Sequence, residues 1–244
     1  AEVTLVDDDP GLHAAQRARA ELRSRPVTPA RRVRSATRPD GVFRVETLPP
    51  PGSGSLGGFW TLAQVKMKLD DLVASDTLGY TVQGRPIWGL KIAKAVDGPD
   101  ARPVAFFSAI THAREPGGMQ ALFNFADDVL GKYDADPVAR YLLENRQIYI
   151  CPVANPDGYW YNQRIYDSTA TFGLWRKNLR DNNGNGVTDN SDGVDINRNY
   201  GYKWGFNSTG SSGTASSAVY RGPTAWSEPE TRIQRDSFSA LHAV

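Results

Sequence analysis

From Phe59 onward, short apolar runs of strand length alternate with segments of helical period, and that alternation leaves few architectures open. "YTVQGRPIWGLKI" reads as two extended runs around a Gln83-Gly84 turn, a hairpin. "RPVAFFSAI" and "RQIYICPV" are continuous apolar runs, as expected of strands buried on both faces. Around and between these runs lie helix signals. Thr61 can cap a helix whose Leu62, Val65, Leu69 and Leu72 share a face. Leu122, Phe125, Ala126, Val129 and Leu130 mark a second, and Asp136-Pro137 opens a third. Ser227 and Glu230 have capping-box spacing around Pro229, which predicts a helix from about Glu228 toward His242. The expected fold is α/β, with a mixed, largely parallel central sheet flanked by helices. A strand should follow the last helix; Val244 comes first, so the fold is expected to be incomplete at its C-terminal end.

Residues 1–58 differ in kind. "QRARAELRSRPVTPARRVRSATRP" is rich in arginine and proline, and "PPPGSGSLGG", Pro49 to Gly58, reads as a flexible linker. The expected organisation is an N-terminal tail or pro-segment remnant over 1–58 and a folded domain over 59–244. The chain starts at Ala1 without a signal-type apolar segment, which implies a removed leader or a piece of a longer chain. Net charge is +1, so no global field recruits nucleic acid or a membrane surface. The single cysteine, Cys151, excludes an intramolecular disulfide and is expected to be a buried apolar residue on its strand.

The stretch "ITHAREPGG" places His112 and Glu115 where a buried strand ends and a helix begins. Ligand sites in open α/β sheets form at the carboxyl ends of strands, and imidazole with carboxylate is a natural zinc donor set. A His-x-x-Glu pair alone arises often by chance. Here "THAREP", "NPDGY", "LWRKN", "GVDINRNY" and "SEPET" occur in this order. Together they resemble the zinc carboxypeptidase family, from about Phe59 to the last residue.

That resemblance implies a zinc-dependent peptidase that removes the C-terminal residue of peptides or proteins. His112 and Glu115 match two zinc ligands, Arg114 a substrate contact, and Arg176 the arginine that polarises the scissile carbonyl. Asn197 and Arg198 match the pair that grips the substrate's terminal carboxylate, and Asp195 the aspartate that hydrogen-bonds the first zinc histidine. The chemistry agrees: a guanidinium offers a carboxylate two parallel donors, which is how an exopeptidase would read a free chain end. The family also implies a third ligand histidine, a general-base glutamate and a late tyrosine beyond Val244. A chain ending there is expected to be weak or inactive, and His242, at a helix end, is expected to favour the helix dipole rather than to ligate. A monomer, secreted or periplasmic, is the expected context. Two other readings remain open: a cell-wall peptide amidase of the same fold, and a non-catalytic module that binds peptide C-termini.

A second metal site is expected in "DNNGNGVTDNSD". Asp181, Asn183, Asn185, Asp189 and Asp192, with Gly186 for the turn, fall on the positions of a calcium loop, although the twelfth is Asp rather than Glu.

Overall fold

A computed structural model of the chain describes residues 54–72, 75–94 and 101–241. Its elements begin with helix α1 (Leu62–Asp71), strands β1 (Ser75–Tyr80), β2 (Pro86–Ile92) and β3 (Val104–Ser108), and helices α2 (Gly117–Gly131) and α3 (Pro137–Asn145). Strand β4 (Gln147–Cys151), helix α4 (Pro156–Thr169), a 3-10 turn (Ile196–Arg198) and helix α5 (Pro229–Leu241) follow. Local signals explain most boundaries. Thr61 and Gln64 form a reciprocal capping box on α1, and Asp136 caps α3 with Pro137 in its first turn. The β1–β2 hairpin turns at Gly84, whose φ of 75° suits a residue without a Cβ.

The four strands form one open mixed sheet in the order β1-β2-β4-β3. It is less parallel than expected: β1 pairs β2 and β2 pairs β4 antiparallel, and only β3 with β4 is parallel. The hairpin fixes the first of these directions, and the long excursion through α2 and α3 permits the parallel return. Side chains alternate across the sheet. Leu90, Ile92, Ile148 and Ile150 join the main core with Val65 and Leu69 of α1, Phe123 and Ala126 of α2, Leu143 of α3 and Tyr159 of α4. Ile87 and Cys151 face the other way, toward Ile233 of α5. Burial of the Cys151 thiol pushes its pKa up to about 12, as suits an inert apolar residue.

Three details depart from the sequence expectations. The segment Gly54 to Gly58 is not linker: Gly54–Gly58 and Leu56–Phe59 pair as isolated bridges, and Leu56 fills the main core. On α2 the buried stripe is Met119, Phe123, Ala126 and Val129, with Leu130 exposed, so the apolar face is rotated from the one anticipated. The Ser227–Glu230 capping box does not form, because Ser227 hydrogen-bonds Glu228 and Asn199 while Glu230 turns inward to Asn178. Residues 1–53 and His242 lie outside the described residues. No helix among the described residues is long and apolar enough to cross a membrane.

Candidate active site

The site lies just past the carboxyl ends of the parallel pair. Beyond β3 the chain passes through Ile110, buried and with a φ of 50° that a β-branched residue rarely adopts, and reaches Thr111–Ala113. Helix α4 then ties this segment to a second one. Asn155, its N-cap, donates to Thr111 O (3.3 Å) and Lys177 O (3.1 Å). Two turns on, Asn162 donates to Ala113 O (3.0 Å) and Trp175 O (2.8 Å) and accepts from the Trp175 amide. The Ala113 amide donates directly to Arg176 O. "THAREP" and "LWRKN" therefore meet through their backbones, bridged by the Asn155 and Asn162 side chains of α4, which brings Arg176 beside His112.

The close approach needs a glycine. A Cβ on Gly158 would lie 2.3 Å from Lys177 O and 2.7 Å from Ala113 Cβ. Gly158→Ala is therefore expected to push the two segments apart and to destabilise the fold by ~1–3 kcal/mol, the usual range for overpacking. Thermal melting checks this, and an unchanged midpoint would show that the segments tolerate a wider gap.

Asp195 is the centre of the site. It is fully buried, and its Oδ2 accepts from Arg176 Nε (3.0 Å) and Nη2 (2.9 Å). Its Oδ1 accepts from the Asn197 amide (3.1 Å), and its carbonyl accepts from the Arg198 amide, so it also caps the 3-10 turn that carries those two residues. His112 Nε2 lies 3.3 Å from Oδ1, close enough for attraction but poorly angled for a hydrogen bond, and has no other partner among the described residues. The other ring nitrogen, Nδ1, lies 3.0 Å from Glu115 Oε2. Glu115 is more than half exposed and Arg114 is exposed, whereas Arg176 is largely covered. Arg198 donates from Nε to Gly210 O and from Nη1 to Asn197 O.

His112 Nδ1 and Glu115 Oε2 fit part of a zinc site. Two donors this close can both reach one ion at the usual ~2.0–2.2 Å. Among the described residues no group of three or more His, Cys, Asp or Glu side chains could hold a metal, so these two stand without a third.

Behind this constellation lies a buried polar knot that sequence reasoning did not anticipate. Asn178 donates from Nδ2 to Glu228 (2.8 Å) and Glu230 (3.3 Å), while its Oδ1 accepts from the Val194 amide. Asn199 donates to Arg221 O, Thr224 O and Ser227 Oγ, and accepts from the Glu228 amide and the Thr231 hydroxyl. The last residues of "LWRKN" and "DINRN" thus anchor both site-bearing segments to the start of α5. Lys177 is buried too and donates to Ala215 O, and burial lowers its pKa from the ordinary range. Their only signal in the sequence was membership in the shared motifs.

The calcium reading of Asp181–Asp192 is not supported by the geometry. Asp181 accepts from the Gly184 and Gly186 amides, Asp189 from the Ser191 amide and the Asn183 and Asn185 side chains, and Asp192 from the Asn182 and Asp189 amides. Asn183 and Asn185 oxygens likewise accept amides two residues on. The Gly186 amide foremost holds the Asp181 pKa below its ordinary range, and the Ser191 amide does the same for Asp189. The oxygens a cation would need serve instead to fold the loop through Asx-type turns.

The chain matches the family model "Zinc carboxypeptidase" over residues 61–243. It is 30% identical to carboxypeptidase A2 of Rattus norvegicus over 188 residues, 74% of this chain and 41% of the relative. It is 34% identical to carboxypeptidase B of Helicoverpa zea over 176 residues, 69% of this chain and 36% of the relative. The crystal structure of carboxypeptidase A from Helicoverpa armigera superposes with a TM-score of 0.61 at 27% identity, covering 79% of this chain and 45% of that one. The chain spans less than half the length of these relatives. With the sheet, the ordered motifs and the family model in agreement, the chain belongs to the zinc carboxypeptidase family.

Proposed function

We propose that this chain carries the substrate-reading part of a metallocarboxypeptidase that hydrolyses the C-terminal peptide bond of peptides or proteins. The observation that carries the reading is Asp195, a single buried carboxylate bonded to Arg176 and to the turn of Asn197 and Arg198, with His112 at 3.3 Å. One side chain thereby links a candidate metal donor, a candidate oxyanion donor and a candidate carboxylate grip.

In this reading Arg198 and Asn197 bind the substrate's terminal carboxylate, which sets the last peptide bond at a fixed distance from His112 and Glu115. Arg176, held in place by Asp195, donates to the oxygen that gains charge as the carbonyl is attacked, a role in which one lost donor elsewhere costs ~2.7–4 kcal/mol. Asp195 favours the tautomer with a proton on Nε2, leaving Nδ1 free to ligate. His112 and Glu115 would hold the zinc ion, which when bound supplies Lewis acidity toward the scissile carbonyl. Arg114, exposed beside them, contacts substrate further from the cleaved bond. The reading implies a monomer exported from the cell, secreted or periplasmic, with peptide C-termini as partners.

With two donors among the described residues rather than three or four, a polypeptide of these 244 residues is expected to bind zinc weakly and to turn over poorly, while still binding free carboxyl termini. Zinc titration with an assay on blocked dipeptides tests this. Robust, chelator-sensitive release of C-terminal residues would overturn the expectation of weakness, and binding that ignores amidation of the peptide terminus would overturn the carboxylate grip.

A further inference from the structure

Between the end of β3 and His112 the chain turns on one residue. Ala109 is pinned on both sides: its amide donates to Cys151 O (3.0 Å) and its carbonyl accepts from the Ala154 amide (2.9 Å). Beyond the turn, Thr111 O is held by Asn155, and Ala113 is held at its amide by Arg176 O and at its carbonyl by Asn162. Ile110 lies between these clamps with a φ of 50°, a left-handed backbone that a β-branched side chain resists and that glycine adopts without strain. Its side chain is 3% exposed and belongs to the main core with Phe123, Ile150 and Val153, so burial works against the strain. A strained backbone whose side chain is locked in a core has one conformation, where a glycine would have several. Two residues on, His112 Nε2 lies 3.3 Å from Asp195 Oδ1 and Nδ1 lies 3.0 Å from Glu115 Oε2. Neither contact fixes the ring: Nε2 is poorly angled toward Oδ1, and Glu115 is more than half exposed. The direction in which the backbone leaves Ile110 therefore sets where His112 stands.

We propose that Ile110 is a positioning residue: its left-handed turn, locked by burial of its side chain, aims His112 at the carboxylates of Asp195 and Glu115. This rests on the reading of His112 as a metal donor given above and adds to it a residue that acts through His112 rather than on substrate. A residue that merely fills the core contributes to stability and leaves His112 ordered by the clamps at Thr111 and Ala113. A positioning residue sets that order itself, because the clamps hold the segment only after the turn has delivered it.

Nuclear magnetic relaxation on the full chain tests this, with Ile110→Gly, Ile110→Ala and Ile110→Val as variants. The readout is the backbone amide order parameter of His112, which core filling alone does not move, with melting midpoints recorded beside it. The parent is expected near the rigid value of about 0.85, and Ile110→Val, which keeps the branch and most of the burial, should match it. Ile110→Gly should fall toward the flexible range, below about 0.6. Ile110→Ala keeps a Cβ but loses the anchor, so it should fall in the same direction, and it carries the comparison alone if the glycine variant does not fold. Unchanged order at His112 in the folded glycine or alanine variant overturns the inference. So does a loss in the valine variant as large as in the glycine one, or a mobile His112 in the parent. Zinc titration of the parent separates the two readings: a rigid His112 that depends on Ile110 yet takes up no zinc keeps the positioning role and removes the metal role proposed above.

Discussion

Replacing Asp195 with alanine is expected to lower the stability of the fold by ~3–5 kcal/mol, the usual cost of removing one partner from a buried ion pair. The guanidinium of Arg176 is largely covered and would lose both of its hydrogen bonds to Oδ2 at once. The Asn197 amide would lose its acceptor, so the 3-10 turn beneath Asn197 and Arg198 would lose its cap. Asp195→Asn separates charge from shape. It keeps an oxygen for the amide but removes the charge that Arg176 and His112 face. It should therefore fold with a smaller loss and still weaken zinc binding by ~10–100-fold, as loss of an outer-sphere partner does elsewhere. Urea denaturation of both variants, with zinc titration of Asp195→Asn, checks the pair. An Asp195→Asn protein that binds zinc as the parent does would remove Asp195 from the orientation of His112.

The elements that could be read in advance are those whose signals are local. Thr61, and Asp136 with Pro137, announce helix starts from the residues beside them, and the structure forms both caps, with Gln64 completing the first as a capping box. Helix α4 also has a local start signal, Asn155 with Pro156, that the sequence reading passed over, and its inner face is polar: Asp157, Asn162 and the N-cap Asn155 are fully buried. Asp157 is paired with Arg85 and accepts from Thr81 and the Gln83 amide, contacts more than seventy residues apart in sequence. A periodicity argument counts such residues as solvent-facing. The same blindness explains the Asp181–Asp192 loop. Spacing shows which residues carry oxygens but not whether neighbouring amides already occupy them. For the candidate site, His112, Glu115, Arg176, Asp195, Asn197 and Arg198 were all named as candidates from motif resemblance. The asparagines that bring their segments together came to light only with the three-dimensional hydrogen-bond pattern, since a buried Asn and an exposed Asn look alike in a sequence.

The largest pH effect is expected from Glu230. Its side chain is buried at the start of α5 with one carboxylate oxygen unpartnered. Burial foremost, and the neighbouring charges of Glu228 and Asp157, push its pKa up to about 8 against its own amide and Asn178, which act the other way. The sign follows from linkage. Below the ordinary glutamate pKa of 4.5 the carboxyl is neutral in both folded and unfolded chains, and its full contribution to stability is present. As pH rises from there the unfolded chain ionises and the folded one does not, so stability falls until the folded group ionises near pH 8. The difference between the two pKa values corresponds to ~5 kcal/mol in order of magnitude. Glu230→Gln keeps the shape, the Asn178 contact and the neutral state, and so should flatten this slope and be more stable than the parent at pH 8 by several kcal/mol, on the order of the same ~5. Denaturation midpoints of both proteins between pH 5 and 9 provide the comparison, and parallel curves would mean that Glu230 is already ionised in the fold at neutral pH. Because Glu230 shares Asn178 with Glu228, and Glu228 reaches Asn199, loosening of this knot at alkaline pH should release the Asn197–Arg198 turn before the sheet melts. Carboxylate binding should therefore weaken at a lower pH than the one at which the far-ultraviolet signal of the fold is lost.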